Sequence, residues 1–390
     1  MNPSLLFPIW LILYEACANM SNDMYLPALP AIGKELGTTI NLVQLTITVW
    51  LAGNAAVQLL VGPLADRYGR RPVLFLGGAL FVLSTLGCAL APTITVLILS
   101  RFLQGVGVCT LMVAGYASVH DLYTDQQAIP ILAWMGAAAV VSPAVGPAIG
   151  GLILTFVSWR SIFYLLAAVA LISLIALWRV MPESTQERHS LDLPRLLRSY
   201  RNILTSGPFV LSGLAFGLLF GGMLGWITAS PFLLITGLGL TPLQFGALQI
   251  PVFGAYIVGA ALVKPLMKRV GKEGLIAFGV LFATLSALSM IIALFFPSHF
   301  LSLVLPMSGY ALGFGFASAP LNRTTLTATE EPRGAAVAVF YLGMAGSATL
   351  ISLILSLIHE GLLSFSLVTA AVALLALLLN FSRLRLNTAK

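Results

Sequence analysis

The chain has 390 residues, 59% of them hydrophobic and only 8% charged, where a soluble domain carries about 25% charged residues. So little charge cannot cover a water-facing surface, which excludes an ordinary soluble globular protein and points to a polytopic membrane protein with a lipid-facing exterior. The formal net charge of +7 does not indicate a nucleic-acid partner, because the basic residues fall in short stretches between apolar runs, where they report topology.

The N-terminal "MNPSLLFPIW" lacks a basic region followed by a small-residue cleavage pattern, so it reads as the entry to a first retained helix. A spanning helix needs about 20 mostly apolar residues. Twelve segments qualify: 6–32, 41–65, 72–91, 94–117, 128–155, 159–181, 208–236, 242–267, 275–296, 301–320, 334–358 and 362–381. One connection is long and charged, "PESTQERHSLDLPRLLRSYRNILTSG" at 182–207. The expectation is an all-α membrane protein with twelve transmembrane helices in two pseudo-symmetric six-helix bundles. These are an N-terminal bundle at 1–181, a cytoplasmic central loop at 182–207 and a C-terminal bundle at 208–390.

With the N-terminus placed in the cytoplasm, the cytoplasmic loops and their flanks hold every Lys and Arg except Lys34, Arg101 and Arg160. They include Arg188 in the central loop and Lys390 at the C-terminus. That bias predicts both termini inside. An internal repeat supports two related halves. "VGPLADRYGRRPVL" at 61–74 and "VKPLMKRVGKEGLI" at 263–276 share Pro63/Pro265, Leu64/Leu266, Arg67/Arg269 and Gly69/Gly271 in register, at an offset of 202. Parallel repeats of this kind characterise one large class of secondary transporter, whose substrate site lies near the midplane between the halves.

The cysteines Cys17, Cys88 and Cys109 lie inside apolar runs and read as buried free thiols. His120, His189, His299 and His359 lie in or beside separate loops, so neither a metal cluster nor a cofactor is expected. No Walker pattern is present, and "GYALGFG" follows no strand, so ATP-driven transport is not expected. "NRT" at Asn322 falls on the cytoplasmic side, where it is no glycosylation acceptor.

Three charges fall inside the predicted spans: Glu15, Asp23 and Arg101. Each costs roughly 2.5–3.5 kcal/mol at a bilayer centre on insertion scales, so it should face a cavity or a partner. Two readings stay open for them: a proton or cation site, or a buried ion pair between the first and fourth helices. Positions 15 and 23 stand about 12 Å apart along a helix and about 80° apart around it. They can therefore line one cavity at different depths but cannot share a proton. Pro27 and Pro30 should interrupt the helix just beyond Asp23.

The loop "GPLADRYGRRPV", with Gly62, Asp66, Arg67, Gly69, Arg70 and Arg71, is either a basic topogenic loop or a charged conformational latch. "SPAVGPAIGG" at 142–151 places Pro143, Gly146, Pro147, Gly150 and Gly151 in the fifth helix. They serve either close packing or a hinge and seal near the interface of the halves. Gly213, Gly217, Gly221 and Gly225 form a small-residue stripe for helix contact on the seventh. The acids belong to one half only: at offset 202, Glu15 and Asp23 correspond to Gly217 and Gly225.

"GPLADRYGRRPV", "RFLQG" (101–105), "SPAVGPAIGG" and the two halves resemble the major facilitator superfamily, in its drug:proton antiporter branch. "LLFPIWLILYE", "NDM", "YLPALP", "GYA", "MPE", "SPFLLITG" and "GALQIPVFGA" extend the resemblance to MdfA-like multidrug transporters along nearly the whole chain. The resemblance implies export of lipophilic, often cationic drugs in exchange for protons, by a monomer in the bilayer of a bacterial inner (plasma) membrane. It implies proton coupling by Glu15, Asp23 and Arg101, and substrate contact by Glu15, Asn19, Asn22, Asp23, Tyr116, Met135 and Ala139. Asn19 departs from the family pattern, which has an aromatic there, a side chain suited to cations and flat rings. A narrower exporter of a metabolite or siderophore, or a proton symporter, shares the fold and is the alternative. A membrane enzyme or sensor would need a polar catalytic cluster or an appended domain, and the sequence offers neither.

Overall fold

The computed structural model describes residues 6–184, 193–295, 299–358 and 361–388. Arg188, His189, His359 and Lys390 lie outside the described residues, as does the middle of the central connection. The chain divides into two compact units, Met1–Leu193 and Pro194–Lys390.

In the first unit the helices are α1 (Leu6–Asp23), a short α2 (Leu29–Glu35), α3 (Ile40–Tyr68), α4 (Arg70–Leu90), α5 (Ile94–Leu122), α6 (Asp125–Ile153) and α7 (Arg160–Val180). The second holds α8 (Leu193–Thr205, beginning at the boundary), α9 (Gly207–Pro231), α10 (Pro242–Ser289), α11 (Leu301–Leu326), α12 (Arg333–Leu357) and α13 (Leu362–Thr388). No strand occurs among the described residues.

Among the described residues, ten helices are long and apolar enough to cross a membrane. One of these, α10, is two helices joined at Gly271, where φ is 72°. The helix α1 falls outside the ten because Glu15, Asn19, Asn22 and Asp23 lower its hydropathy. Counting α10 twice and adding α1 makes the twelve spans.

Each unit repeats the same packing. In the first, α1 packs on α6 and α7, and α3 on α5; in the second, α9 packs on α12 and α13, and α10 on α11. The glycines of the sequence repeat occupy equivalent breaks. Gly69 (φ 106°) separates α3 from α4, and Gly271 sits inside α10. Both conformations are open to glycine and strained for other residues. Three of the α9 glycines face α12, where Cβ atoms added at Gly217, Gly221 and Gly225 would press on Ser347, Ile351 and Leu355, while Gly213 faces Thr325 of α11. The stripe is therefore a helix contact. Cys17, Cys88 and Cys109 are buried and free.

Two features depart from the sequence reading. The stretch read as a loop contains the helix α8, pinned to the second unit by Asn202, which donates to the Glu331 carboxylate at 2.8 Å. Hydrogen bonds from Ser199 and Asn202 hold Glu331 below the ordinary carboxylate range. That docking is therefore complete above the usual Glu value, about 4.3, and loosens as pH falls through the lowered one.

The second feature is Arg383, expected at a wet helix end but only 1% exposed. It donates to Glu273 at 2.5 Å and to Asn380 at 2.9 Å, so it ties the end of α13 to the residues after Gly271. Glu273→Gln leaves the buried guanidinium without its carboxylate. Breaking a fully buried pair costs 3–5 kcal/mol, and the partial exposure of Glu273 reduces this to about 1–3 kcal/mol. Thermal unfolding of the purified variant should show a lower Tm, and an unchanged Tm would leave the pair without structural weight.

Candidate functional site

The site grows from the way α1 ends. Pro27 has no N–H to give the Asp23 carbonyl, and Pro30 none for Leu26, so two helical bonds are missing where α1 breaks. The helix stops at Asp23, passes through a 3₁₀ turn at Leu26–Ala28 and resumes as α2. This leaves Asp23 at a helix break and 4% exposed.

Two side chains hold its carboxylate. Ser142 of α6 donates to Oδ2 at 2.8 Å, and Asn22 donates to Oδ1 at 3.4 Å. Asn22 in turn accepts from Arg101 Nη2 at 2.9 Å. The guanidinium, fully buried on α5, also donates to the Ser21 carbonyl at 2.9 Å, to the Thr46 carbonyl at 3.4 Å and to Gln104 Oε1. It lies 4.3 Å over the Tyr25 ring. Arg101 thus reaches Asp23 through the Asn22 amide, and its remaining capacity goes to backbone carbonyls, the Gln104 side chain and aromatic rings that fix it in place.

The "SPAVGPAIGG" stretch packs directly on this break. The helix α6 runs unbroken through Pro143 and Pro147. A Cβ on Gly146 would stand 2.9 Å from the Asp23 Cβ, and one on Gly150 would collide with the Met24 carbonyl oxygen. Ser142, Gly146 and Gly150 form the stripe of α6 that seats the end of α1, and helical spacing puts Met135 and Ala139 on the same face. Met135 is buried and Ala139 half-buried. Gly151 is buried.

Glu15 sits two turns earlier on α1 and is fully buried. Its Oε1 accepts from the Tyr116 hydroxyl of α5 at 3.0 Å, and its Oε2 has no hydrogen-bond partner among the described residues. Asn19 donates its side-chain amide to the Glu15 carbonyl at 3.0 Å, turning back along its own helix.

The loop residues gather elsewhere, at the α3–α4 junction. Arg70 pairs with Asp66 at 2.5 Å and with Asp121 of α5 at 3.3 Å. Glu183 accepts from the backbone N–H of Arg70 at 2.9 Å and of Arg71 at 3.4 Å, capping α4, and Arg71 donates to the Trp178 carbonyl at 2.8 Å. A side chain at Gly69 would strike the Glu183 carboxylate. Arg67 stays outside this cluster, exposed over the Tyr68 ring, and Gly62 has open space around it. Sequence reasoning missed Ser142, Gln104, Asp121 and Glu183 as partners, although "SPAVGPAIGG", "RFLQG" and "MPE" contain three of them.

Twelve spans in two repeated bundles, with acids and an arginine buried among the helices of one bundle, make a secondary transporter. The family profile described as Major Facilitator Superfamily matches residues 11–352. The chain is 37% identical over 333 residues to the multidrug transporter MdfA of Escherichia coli O157:H7, covering 85% of this chain and 81% of that one. It is 35% identical, with the same coverage, to MdfA of Yersinia pestis (strain D106004). A crystal structure of a D-xylose-proton symporter superposes with a TM-score of 0.77, covering 96% of this chain and 97% of that one at 17% identity, which shows the shared fold. The chain belongs to the major facilitator superfamily, together with these MdfA transporters.

Proposed function

We propose that this protein exports lipophilic, often cationic compounds in exchange for protons by alternating access. In this reading it is a monomer in a bacterial inner membrane, with both termini in the cytoplasm. Its two bundles, 1–181 and 208–390, are joined by the 182–207 connection. The observation that carries the reading is the pair of buried acids on α1 in unlike settings. Asp23 is wired through Asn22 to a fixed arginine, whereas Glu15 keeps one carboxylate oxygen unpaired. The similarity to MdfA multidrug transporters supports the choice of substrate class.

The division of labour follows from those settings. A buried carboxylate oxygen without a partner is costly, and a proton or a substrate cation at Glu15 Oε2 removes that cost. Substrate positive charge and a proton then compete for the same negative site, which is antiport by linkage. Asp23 takes the proton that sets the state of the α1 break, because its carboxylate joins α6 through Ser142 and α5 through Asn22 and Arg101. Tyr116, Met135 and Ala139 line the substrate path beside Glu15. Asp66, Arg70, Asp121 and Glu183 act as the latch that holds α3, α4, α5 and α7 together.

The test is a substrate panel in proteoliposomes with an imposed pH gradient, covering lipophilic cations, neutral drugs, siderophores and sugars. Uphill movement of several chemically unrelated lipophilic compounds against the proton flow is expected. Transport of one metabolite alone, or movement in the same direction as protons, would replace this reading with the narrower exporter or the symporter.

A further inference from the structure

The helix α8 carries surface that the transport cycle described above does not use. One face is spent on the protein: Tyr200 and Ile203 are buried, Leu196 and Ser199 are half-buried, and Asn202 and Ser199 hold Glu331. Ser206 adds a hydrogen bond to the Ala328 carbonyl at 3.2 Å, just beyond the helix. These contacts fix the rotation of α8. They turn Leu197 and Leu204 outward, 57% and 58% exposed. Seven residues apart, the two leucines lie within about 20° of each other around the helix. Next to them on the same side come Arg201 and then Arg198, both exposed.

A single residue, Ser206, separates α8 from Gly207, where the membrane-crossing helix α9 begins. The C-terminal turn of α8 therefore lies at the depth where a bilayer changes from acyl chain to headgroup. An apolar edge bordered by arginines is the pattern of a helix lying in that interface, with leucines toward the acyl chains and guanidinium groups among phosphates.

We propose that α8 is a lipid-docking helix whose Leu197–Leu204 edge enters the membrane interface while Arg198 and Arg201 hold anionic phospholipid headgroups. The charge complementarity selects the partner. Arginine forks match phosphate oxygens, and each arginine near an anionic surface strengthens binding by about fivefold. Because α8 leads directly into α9, the dock ties the entry of the second unit to the membrane surface.

The test uses the full-length protein with a nitroxide at Leu197→Cys, reconstituted in phosphatidylcholine or in equal parts phosphatidylcholine and phosphatidylglycerol. In the mixed vesicles the label should be accessible to oxygen and shielded from a water-soluble nickel reagent. That shielding should fall severalfold in phosphatidylcholine alone, at high salt, and in the Arg198→Gln, Arg201→Gln double variant. A label open to the nickel reagent in both lipids overturns the proposal. A label shielded equally in all conditions also overturns it, because protein then covers the edge and anionic lipid does not.

Discussion

Asp23→Asn is expected to abolish export driven by a pH gradient while leaving the protein folded. One pH unit is worth about 1.4 kcal/mol per proton, so a one-for-one exchanger can sustain a substrate gradient of about tenfold per unit. The asparagine variant has no proton to exchange at this position, and its substrate gradient in proteoliposomes should collapse to one. The substitution conserves volume. The new amide oxygen can still accept from Ser142 or Asn22, so the structural cost is about one hydrogen bond, roughly 1 kcal/mol. Removing a charge from the membrane interior offsets part of that cost.

The loss should therefore appear in coupling and not in folding, as an unchanged elution profile, a Tm near that of the unsubstituted protein and retained substrate binding. Substrate added to the solubilised protein should still release protons from Glu15 in this variant, and the Glu15→Gln, Asp23→Asn double variant should release none, because reciprocal coupling requires the proton that substrate displaces. A variant that still builds a gradient against an imposed pH difference would move proton coupling away from Asp23. Glu15, with its unpaired oxygen, would then be the next group to neutralise.

The expectation about Asp23 could be read from one dimension, and its neighbourhood could not. An acid in an apolar run is visible by itself, which is why Glu15, Asp23 and Arg101 stood out. Pro27 and Pro30 marked the break for the same local reason, since a proline removes a named hydrogen bond. The offset repeat marked Gly69 and Gly271 as equivalent breaks, and their positive φ values agree. Ser142, in contrast, is 119 positions from Asp23, and nothing in sequence sets the register of α6 against α1. The route from Arg101 to Asp23 through Asn22 depends on side-chain rotamers, which spacing does not encode.

Arg383 and α8 were missed for the opposite reason. Charged residues near the end of a hydrophobic run are read as solvated, and only the carboxylate of Glu273 folding back after Gly271 makes Arg383 a buried group. The helix α8 is shorter than a span and rich in arginine, so a reading tuned to apolar stretches passes over it. Its order comes from docking to Glu331 and from the buried Tyr200 and Ile203, all of them tertiary effects.

Gly150→Ala is expected to be the most damaging small substitution in the motif. The added methyl would meet the Met24 carbonyl oxygen inside van der Waals contact and stand 2.7 Å from its carbon. Both are backbone atoms at the α1 break, so no flexible side chain can swing away. The helices must part or the turn after Asp23 must shift. Overpacking of this kind costs about 1–3 kcal/mol, and sometimes more, which in a chain of this size corresponds to a Tm lower by a few degrees. The shift also acts on function. Ser142 lies two turns from Gly150 on the same face of α6, so separating α6 from α1 lengthens its bond to Asp23 and should lower pH-driven export beyond what the stability loss explains. Gly136→Ala is the matched control. It is on the same helix, with nothing within 4 Å of the added Cβ, and should keep both Tm and export. Equal behaviour of the two variants would mean that the glycines of this motif do not set the distance between α1 and α6. A Gly150 variant with normal export and a lowered Tm would confine the contact to stability and separate it from the placement of Asp23.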